Sequence, residues 1–483
     1  MPARRLTLRL IILTSALSAC RGYRSYTPAP VDASTQAPTY QARRLDDPNL
    51  LAFLAAHAAG PSDSAATPST LGLAALYFRS DLAESRALVS AARAGEITAG
   101  TRPFPSAGAT VERSLSGSSD ASPWTVSLTT GITFETGGKR AARLARATAL
   151  TLGTSLRLQS TAWQLAQDAR VAAVASVGAE RDLADAAAEV GALRVLLDLL
   201  RARFAEGRIS QADLAQAETD VQSAIVGEVQ ARRARTDARA ALARALAMPL
   251  TAVERLPIRE ELRSGCEPAE SPRLDSVTTA FETMALRRRY DVGAALADYA
   301  VAEAELRVQI AQQYPDLVIG PGLAWDQGVS RWLLSLGTNA IPVNRNRGPI
   351  AEAEARRTAR AAHFAFVQDS VLAQVDSAVV ACRDVRAEIA AADSLVSATR
   401  ERLRLAEAAY ARGETGQTEV AFPRLALVRV TRVQRQALQR RQRAGAALEA
   451  AIGRWLSVPN IRWPDVVEKS VPAPTDTVRE RRE

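Results

Sequence analysis

The sequence is poor in the side chains from which most compact cores and catalytic sites are built. Aromatic residues make up only 5% of 483 positions, although aromatics normally dominate the packing of a globular core. Alanine, arginine and leucine prevail instead, a mixture that favours long helices. Histidine occurs only at His57 and His363. Neither has a second histidine at ligand spacing, so no metal or acid–base constellation emerges. "TGGKR" around Lys139 resembles a phosphate loop only superficially, because no Ser or Thr follows the lysine; a strand-to-helix junction explains its glycines better. Three cysteines, Cys20, Cys266 and Cys382, are too few for a disulfide framework. Cys266 lies in a loop-like stretch and Cys382 on an apolar helical seam, which leaves open a buried thiol at Cys382 or a Cys266–Cys382 bridge.

The net charge of +9 does not signal nucleic acid. Lysine occurs only at Lys139 and Lys469, and the arginines alternate with acids, as in "ERDLADAAAEVGALRVLLDLLRAR", without gathering on one face among aromatics. Long hydrophobic runs are missing as well, except at the start. Arg4, Arg5 and Arg9 precede an apolar stretch, Leu10 to Ala19, too short to span a bilayer, which is the layout of a secretory signal. Leu17-Ser18-Ala19-Cys20 is similar to a bacterial lipobox, whose cysteine is lipidated and becomes the new N-terminus; the alternative is an ordinary cleavage site. Acyl chains on Cys20 would anchor the protein at about 0.8 kcal/mol per buried CH₂. Tyr23 to Pro38 has too few apolar residues to fold and reads as a tether.

What the sequence does have is a repeat. "ALYFRSD" (Ala75–Asp81) and "ALRRRYD" (Ala285–Asp291) stand 210 residues apart. Pro105 and Pro315, then Gly138 and Gly348, keep that spacing. "FAEG" at Phe204–Gly207 matches "YARG" at Tyr410–Gly413, and Met248-Pro249 matches Val458-Pro459. Shared helical composition explains the alanines but not prolines and glycines in the same order. Each half reads as a helix, two short extended runs and a long helical hairpin.

The extended runs alternate with period two. Trp124, Val126, Leu128, Thr130, Ile132 and Phe134 interleave with Thr, Ser and Gly. Leu317, Ile319, Pro321, Leu323 and Trp325, then Trp332, Leu334, Leu336 and Thr338, continue the pattern; Ala107, Ala109, Val111 and Leu115 are its poorest version. Such alternation suits a barrel wall with lipid outside and water inside. Four strands cannot close a barrel, since small ones need about eight. Open edges within a membrane leave backbone groups unpaired. Several chains must therefore share one barrel, and three copies supply twelve strands.

The helical stretches carry heptad seams. Leu183, Ala186, Val190, Leu193, Leu197, Leu200 and Phe204 step by three and four. Val371, Val375, Ala378, Cys382, Val385, Ile389, Ala392, Val396, Thr399, Leu403, Ala406 and Tyr410 do the same. Each seam demands a partner helix. The seams alone do not distinguish an ordinary antiparallel coiled coil from a wall of helices.

This duplicated arrangement behind a lipobox resembles the TolC-like outer-membrane efflux proteins, over roughly Asp46 to Pro459. The most specific carriers are "FAEGRISQADLAQAE" and "YARGETGQTEVAFPR", where Phe204/Gly207/Asp213 and Tyr410/Gly413/Glu419 are similar to the family's hairpin-tip pattern. "YPDLVIGPGLAWDQG" resembles the second-repeat strand region of the efflux and metal-resistance branches. The resemblance implies a mainly α chain with a small β part. Its two tandem repeats of strand hairpin plus long helical hairpin would form a trimeric 12-stranded β-barrel joined to an α-helical barrel. It implies an outer-membrane location, a periplasmic α-barrel, and a passive duct working with a periplasmic adaptor and an inner-membrane transporter. No cofactor is expected beyond the covalent lipid on Cys20. Asp213, Glu419 and Phe422 are implied at the periplasmic aperture, and Phe204, Gly207, Arg208, Tyr410, Gly413 and Glu414 at the adaptor-docking tips. The alternative for each acid is that it only complements a helix N-terminus. Phe422 stands where some relatives carry a second acid, and Pro423 is expected to kink its helix unless it lies in the first turn.

The expected division is a signal peptide at 1–19 and a lipidated tether at 20–45. The first repeat covers 46–250, with strands near 106–116 and 123–135 and a hairpin at 138–247. An equatorial linker follows at 251–273. The second repeat covers 274–465, with strands near 316–325 and 331–341 and a hairpin at 348–457, and 466–483 forms a disordered tail. Two rivals share some features: a periplasmic adaptor lipoprotein, which normally has one hairpin and more β structure, and a non-conducting coiled-coil envelope tether, which does not explain duplicated alternating strands.

Overall fold

A computed structural model describes residues 26–32, 34–57, 66–115, 122–259, 265–267, 274–326, 329–338 and 343–456. The signal segment, Cys20 and the 466–483 tail lie outside them. The chain divides into two compact units, Met1–Ala42 and Arg43–Glu483. The first contains a short helix, α1 (Gln36–Gln41), where the composition predicted only a tether; Asp32 accepts hydrogen bonds from the Ser34 backbone and hydroxyl, both at 2.8 Å, just before it.

The second unit begins with α2 (Pro48–His57), α3 (Pro68–Phe78) and α4 (Ser80–Gly100), followed by strands β1 (Ser106–Arg113) and β2 (Trp124–Phe134). Helix α5 (Lys139–Ala205) has 67 residues, about 100 Å at 1.5 Å per residue, and returns through the shorter α6 (Gln211–Leu246). After α7 (Leu250–Val253) the pattern recurs as α8 (Leu274–Arg288), α9 (Tyr290–Ala311), β3 (Leu317–Asp326), β4 (Val329–Thr338), α10 (Arg347–Ala411) and α11 (Gln417–Ile452).

Equivalent positions in the halves perform the same local work. Arg79 Nε donates to Asp81 at 3.0 Å and its Nη1 reaches the Arg244 carbonyl near the end of α6 at 3.4 Å. Arg289 repeats this with Asp291 at 3.0 Å and the Ala451 carbonyl near the end of α11 at 3.1 Å. Each arginine thus holds the junction between two helices and satisfies an orphan carbonyl of a third. One sequence match shifts. The left-handed pair Gly137-Gly138 that opens α5 corresponds to Arg345-Asn346 before α10, not to Gly348, which already lies inside that helix. Asn346 tolerates that conformation and bonds its Nδ2 to the Gln309 carbonyl at 2.8 Å. At Gly137 a Cβ would lie 2.7 Å from the Tyr314 ring, so that position needs glycine for space as well as for its φ of 63°.

The two halves form one wall with four members at every level. The sheet is antiparallel in the order β1-β2-β3-β4, so the repeats meet at β2–β3. Below the sheet α5 packs between α4 and α9, and α9 against α10; toward the tips α5 packs between α6 and α11, and α11 against α10. The predicted seams are buried along most of their length and become exposed at Phe204 and Tyr410. An 18-residue window within α10 is apolar enough to cross a membrane by length and composition, but it belongs to a 65-residue helix packed on α9 and α11.

A belt covers one face of this wall. Helices α2 and α3 bury Leu50, Leu71, Leu73 and Leu76 against α5 and α6, while α8 packs on α10 and α11. Cys266 is bridged to Cys382 on α10, with Cα atoms 5.3 Å apart, which decides between the readings left open above. The bridge closes a 116-residue separation. Loops of that size are worth about 4–5 kcal/mol in the chain-entropy account, with about 2–4 typical of measured bridges. Cys382→Ser is expected to destabilise the folded protein by about 2–4 kcal/mol. Thermal melting with and without reductant checks this: reductant should bring the native protein down to the variant and leave the variant unmoved.

Candidate functional site

Two regions of the second unit lack a partner of the kind their chemistry calls for. The first is the sheet. Its register places Val126 opposite Val111 and Trp325, Leu128 opposite Leu323, Ile132 opposite Ile319, and Leu323 opposite Trp332, with Pro321 opposite Leu334 and Ile319 opposite Leu336. Cross-strand partners share a face. All four alternating sets read from the sequence therefore fall on one side, except Leu115, which lies beyond β1. That face is open to the surroundings: Trp332 is 85% exposed and Leu334 69%. The opposite face carries Thr125, Ser127, Thr129 and Gly131 from β2, with Gly320, Gly322 and Ala324 from β3, and Thr125 Oγ1 donates to Asp326 at 2.7 Å there. A contiguous apolar surface this size does not belong in water. The outer edges of β1 and β4 have no partner strand among the described residues.

The second region is the pair of helical tips. At the first, Gly207 adopts φ 70° and the chain re-enters a helix at Ser210. Asp213 is held in a capping box: its carboxylate accepts from the Ser210 backbone at 3.1 Å and hydroxyl at 2.7 Å, while its own amide donates back at 3.1 Å. Those bonds hold the Asp213 carboxyl below its ordinary value. At the second tip Gly413 adopts φ 78°, and Glu414 accepts from Arg412 at 2.6 Å. Glu419 accepts two bonds from Arg203 Nη2 at 2.8 and 2.9 Å, which ties α11 to α5 across the two hairpins. Arg203 is also the first cause of the lowered Glu419 carboxyl pKa. Arg208 pairs with Glu206 at 3.0 Å. Phe204, Tyr410 and Phe422 are exposed. Pro423 is the seventh residue of α11, outside the first turn; its ring is buried, and it offers the Glu419 carbonyl no helical N–H.

Sequence reasoning brought Asp213 and Glu419 to the tips but missed their partners. Ser210 was legible as an S-x-x-D capping box. Arg203 was not, because its partner is 216 residues away. The α5–α11 contact continues as an antiparallel ladder: Glu189 with Arg429 and Arg432 at 2.8 and 3.3 Å, Asp185 with Arg435, and Gln439 Nε2 on the Gly178 carbonyl at 3.2 Å. It ends at the belt in a buried pair, Arg170 with Glu449. Among the described residues no cluster of His, Cys, Asp and Glu could hold a metal ion.

Residues 73–248 match the family described as outer membrane efflux protein. Among solved structures the fold is similar to VceC from Vibrio cholerae, an outer membrane protein (19% identity, 80% of this chain and 96% of that one, TM-score 0.63). A membrane protein from Pseudomonas aeruginosa is similar at 18% identity over 89% of this chain and 99% of that one, with a TM-score of 0.64. The Campylobacter jejuni CmeC outer membrane channel is similar at 12% identity, over 93% and 94%, also with a TM-score of 0.64. No curated protein sequence matches the chain. The likeness to the solved structures lies in the fold, mostly helical with a small antiparallel sheet. The family match ends at Leu246-Ala247-Met248, where α6 closes the first repeat. The second repeat stands on its own geometry.

Proposed function

We propose that three copies of this chain close into an outer-membrane duct that receives substrates from a periplasmic adaptor and an inner-membrane transporter. One observation carries the reading: a four-stranded sheet with an exposed apolar face, a second face that is mostly small and polar apart from Val318, Val329 and Leu333, and two edges unpaired among the described residues. In a bilayer such edges must pair, since each unsatisfied backbone group there costs several kcal/mol. Joining β4 of one copy to β1 of the next satisfies both edges and makes a 12-stranded barrel. The same step sets α10 beside the neighbour's α4 and α6, so the helical wall closes with the sheet. Strand β2, with 11 residues, has the length of a tilted membrane-spanning strand, about 9–11 residues. At 18% and 19% identity the first two structures above support the fold alone, through TM-scores of 0.64 and 0.63; the faces and edges are what support the duct.

Cys20 would carry the lipid anchor. The tips, with Phe204, Gly207, Arg208, Tyr410, Gly413 and Glu414, would face the adaptor, and Asp213, Glu419 and Phe422 would stand near the aperture, once per chain and three times around the axis. In this reading Asp213 keeps an uncompensated charge that favours cations, whereas Glu419 acts through its bond to Arg203, holding the hairpins together.

The test is conductance of the purified protein in planar bilayers, together with electrophoresis in mild detergent. Small cation-preferring steps and a heat-sensitive trimer are expected; a well-folded monomer that never conducts would favour the tether. Glu419→Ala should open the tips further. An exposed pair contributes about 0.2–1 kcal/mol, so the open-to-closed ratio should rise up to about fivefold per chain. Acid should mimic the variant. Because Arg203 lowers the Glu419 carboxyl, the pair is intact above its ordinary value of 4.5 and is lost as pH falls through the lower bound-state value. Conductance of the native protein should therefore rise only below pH 4.5, and Glu419→Ala should lack that component.

A further inference from the structure

A cavity of about 510 Å³ opens where α9 begins and α11 ends, between α5 and α10. It borders the core beneath the belt, which shares Trp163, Ala378 and Ala451 with its lining, and its exposed polar residues turn away from the belt helices. Ala162, Ala166 and Ala169 of α5 are buried toward α3, whereas Gln164 and Asp168, which line the cavity, are exposed on the other side. On α10 the same split holds: Val375, Val379 and Cys382 face α8, while Gln374 and Ser377 line the cavity. In a closed tube the belt can only be outside, so the cavity opens to the passage.

Its chemistry is one-sided. Gln167 lines it, is 5% exposed, and has both amide atoms without a hydrogen-bond partner among the described residues. Buried amides are normally bonded, so both Gln167 atoms are available to a group that enters the cavity. The positive charge in the lining is already engaged: Arg289 bonds Asp291 at 2.6 and 3.0 Å, Gln374 at 2.8 Å and the Ala451 carbonyl at 3.1 Å. Asp168 stands at the rim without an ion-pair partner within 4 Å among the described residues. The remaining lining mixes apolar and aromatic groups, Trp163, Tyr290, Ala378, Ala447 and Ala450, with the neutral polar side chains of Ser160, Gln164 and Ser377. Partial burial pushes the Asp168 carboxyl up, against the opposing influence of Arg79, so a cation beside it would be welcome.

We propose that this niche is a luminal binding site for organic monocations with a flat apolar body: the charge on Asp168, a polar edge on the Gln167 amide, and the body between Trp163, Tyr290 and the alanines. The volume lies within the roughly 300–1,000 Å³ of small-molecule sites. An anion finds no free cation there among the described residues, and a metal ion finds no cluster of donors. The inference rests on the duct reading for which face is the passage, and it names a substrate class for it.

Ethidium is a suitable probe, with neutral phenanthridine as its uncharged counterpart. Fluorescence anisotropy on the purified trimer should show saturable binding of one ethidium per chain, with phenanthridine much weaker. Asp168→Asn should weaken ethidium binding at least about tenfold, as expected when a partly desolvated ion pair is lost. Ala447→Trp, which fills the niche without touching charge, should abolish it. Both positions are exposed, so melting temperatures equal to the native protein's establish that the variants are folded. Equal affinity in native and both variants, or equal binding of the neutral compound, overturns the proposal. Bilayer conductance in the absence of ethidium separates the two claims. Variants that conduct normally but bind like the native protein sink the niche alone; a native protein that binds ethidium as described yet never conducts sinks the duct alone.

Discussion

Glu449→Ala is expected to abolish the folded oligomer or lower its stability by about 3–5 kcal/mol, the cost of leaving one partner of a buried ion pair alone. Glu449 is 0% exposed and Arg170 5%. The carboxylate does more than balance that charge: its Oε1 accepts from the Leu456 backbone at 2.8 Å, which fixes the chain just beyond α11. The Arg170 guanidinium also lies 5.3 Å from the centre of the Trp455 ring, which packs on Trp163 and is 1% exposed. Neighbouring glycines confirm how little room remains. A Cβ on Gly72 would lie 2.8 Å from the Ala166 carbonyl, and one on Gly265 would lie 2.6 Å from the Gly445 carbonyl and 2.9 Å from Glu449 Cγ. Here α3, α5, α11 and the loop carrying Cys266 meet. Replacing Glu449 by Ala exposes the cost of Arg170 without relieving it, whereas Arg170→Met with Glu449→Leu should recover most of the loss, since apolar pairs of similar volume often replace buried ion pairs without penalty. Thermal melting and trimer electrophoresis of the single and double variants check this. Equal damage in both would mean that packing volume, not the unpaired charge, is at stake.

Arginine on the apolar face of the sheet should be nearly as harmful. Leu128 and Leu334 lie in mid-strand on β2 and β4, on the face assigned to lipid. A lipid-facing arginine near the bilayer midplane costs about 2–4 kcal/mol, so Leu128→Arg with Leu334→Arg should prevent assembly into membranes. Thr129→Arg, one residue along β2, points its side chain to the other face and should assemble normally while changing ion selectivity. Membrane fractionation and heat-modifiable mobility distinguish the three proteins. If Thr129→Arg fails and the leucine variants assemble, the faces have been assigned the wrong way round.

The alternation of β2, β3 and β4 was legible because a strand has only two faces, and a period of two is readable in a handful of residues. Heptad seams were legible for the same local reason, as were Gly207 and Gly413, where a helix must end in a left-handed turn. The Gly138–Gly348 match was misplaced by two residues, since Asn346 can hold the same backbone conformation and sequence spacing alone does not separate the two choices. Whether Pro423 falls in the first turn was not legible, because its place as the seventh residue of α11 needed the helix start to be seen.

The sequence by itself determined the periodic features: the duplicated order of elements, which strand face is apolar, which helical stripe is buried, and where the hairpins turn. The last three depend on residues within one or two turns of each other, and the duplication shows as the same local signals recurring about 210 residues on. Tertiary structure alone decided the pairing of partners hundreds of residues apart: Arg203 with Glu419, Arg170 with Glu449, Cys266 with Cys382, and β2 with β3. An arginine-rich chain offers each acid many matching cations, and charge complementarity carries no information about distance along the chain. Only the packing of α5 against α11 selects among them.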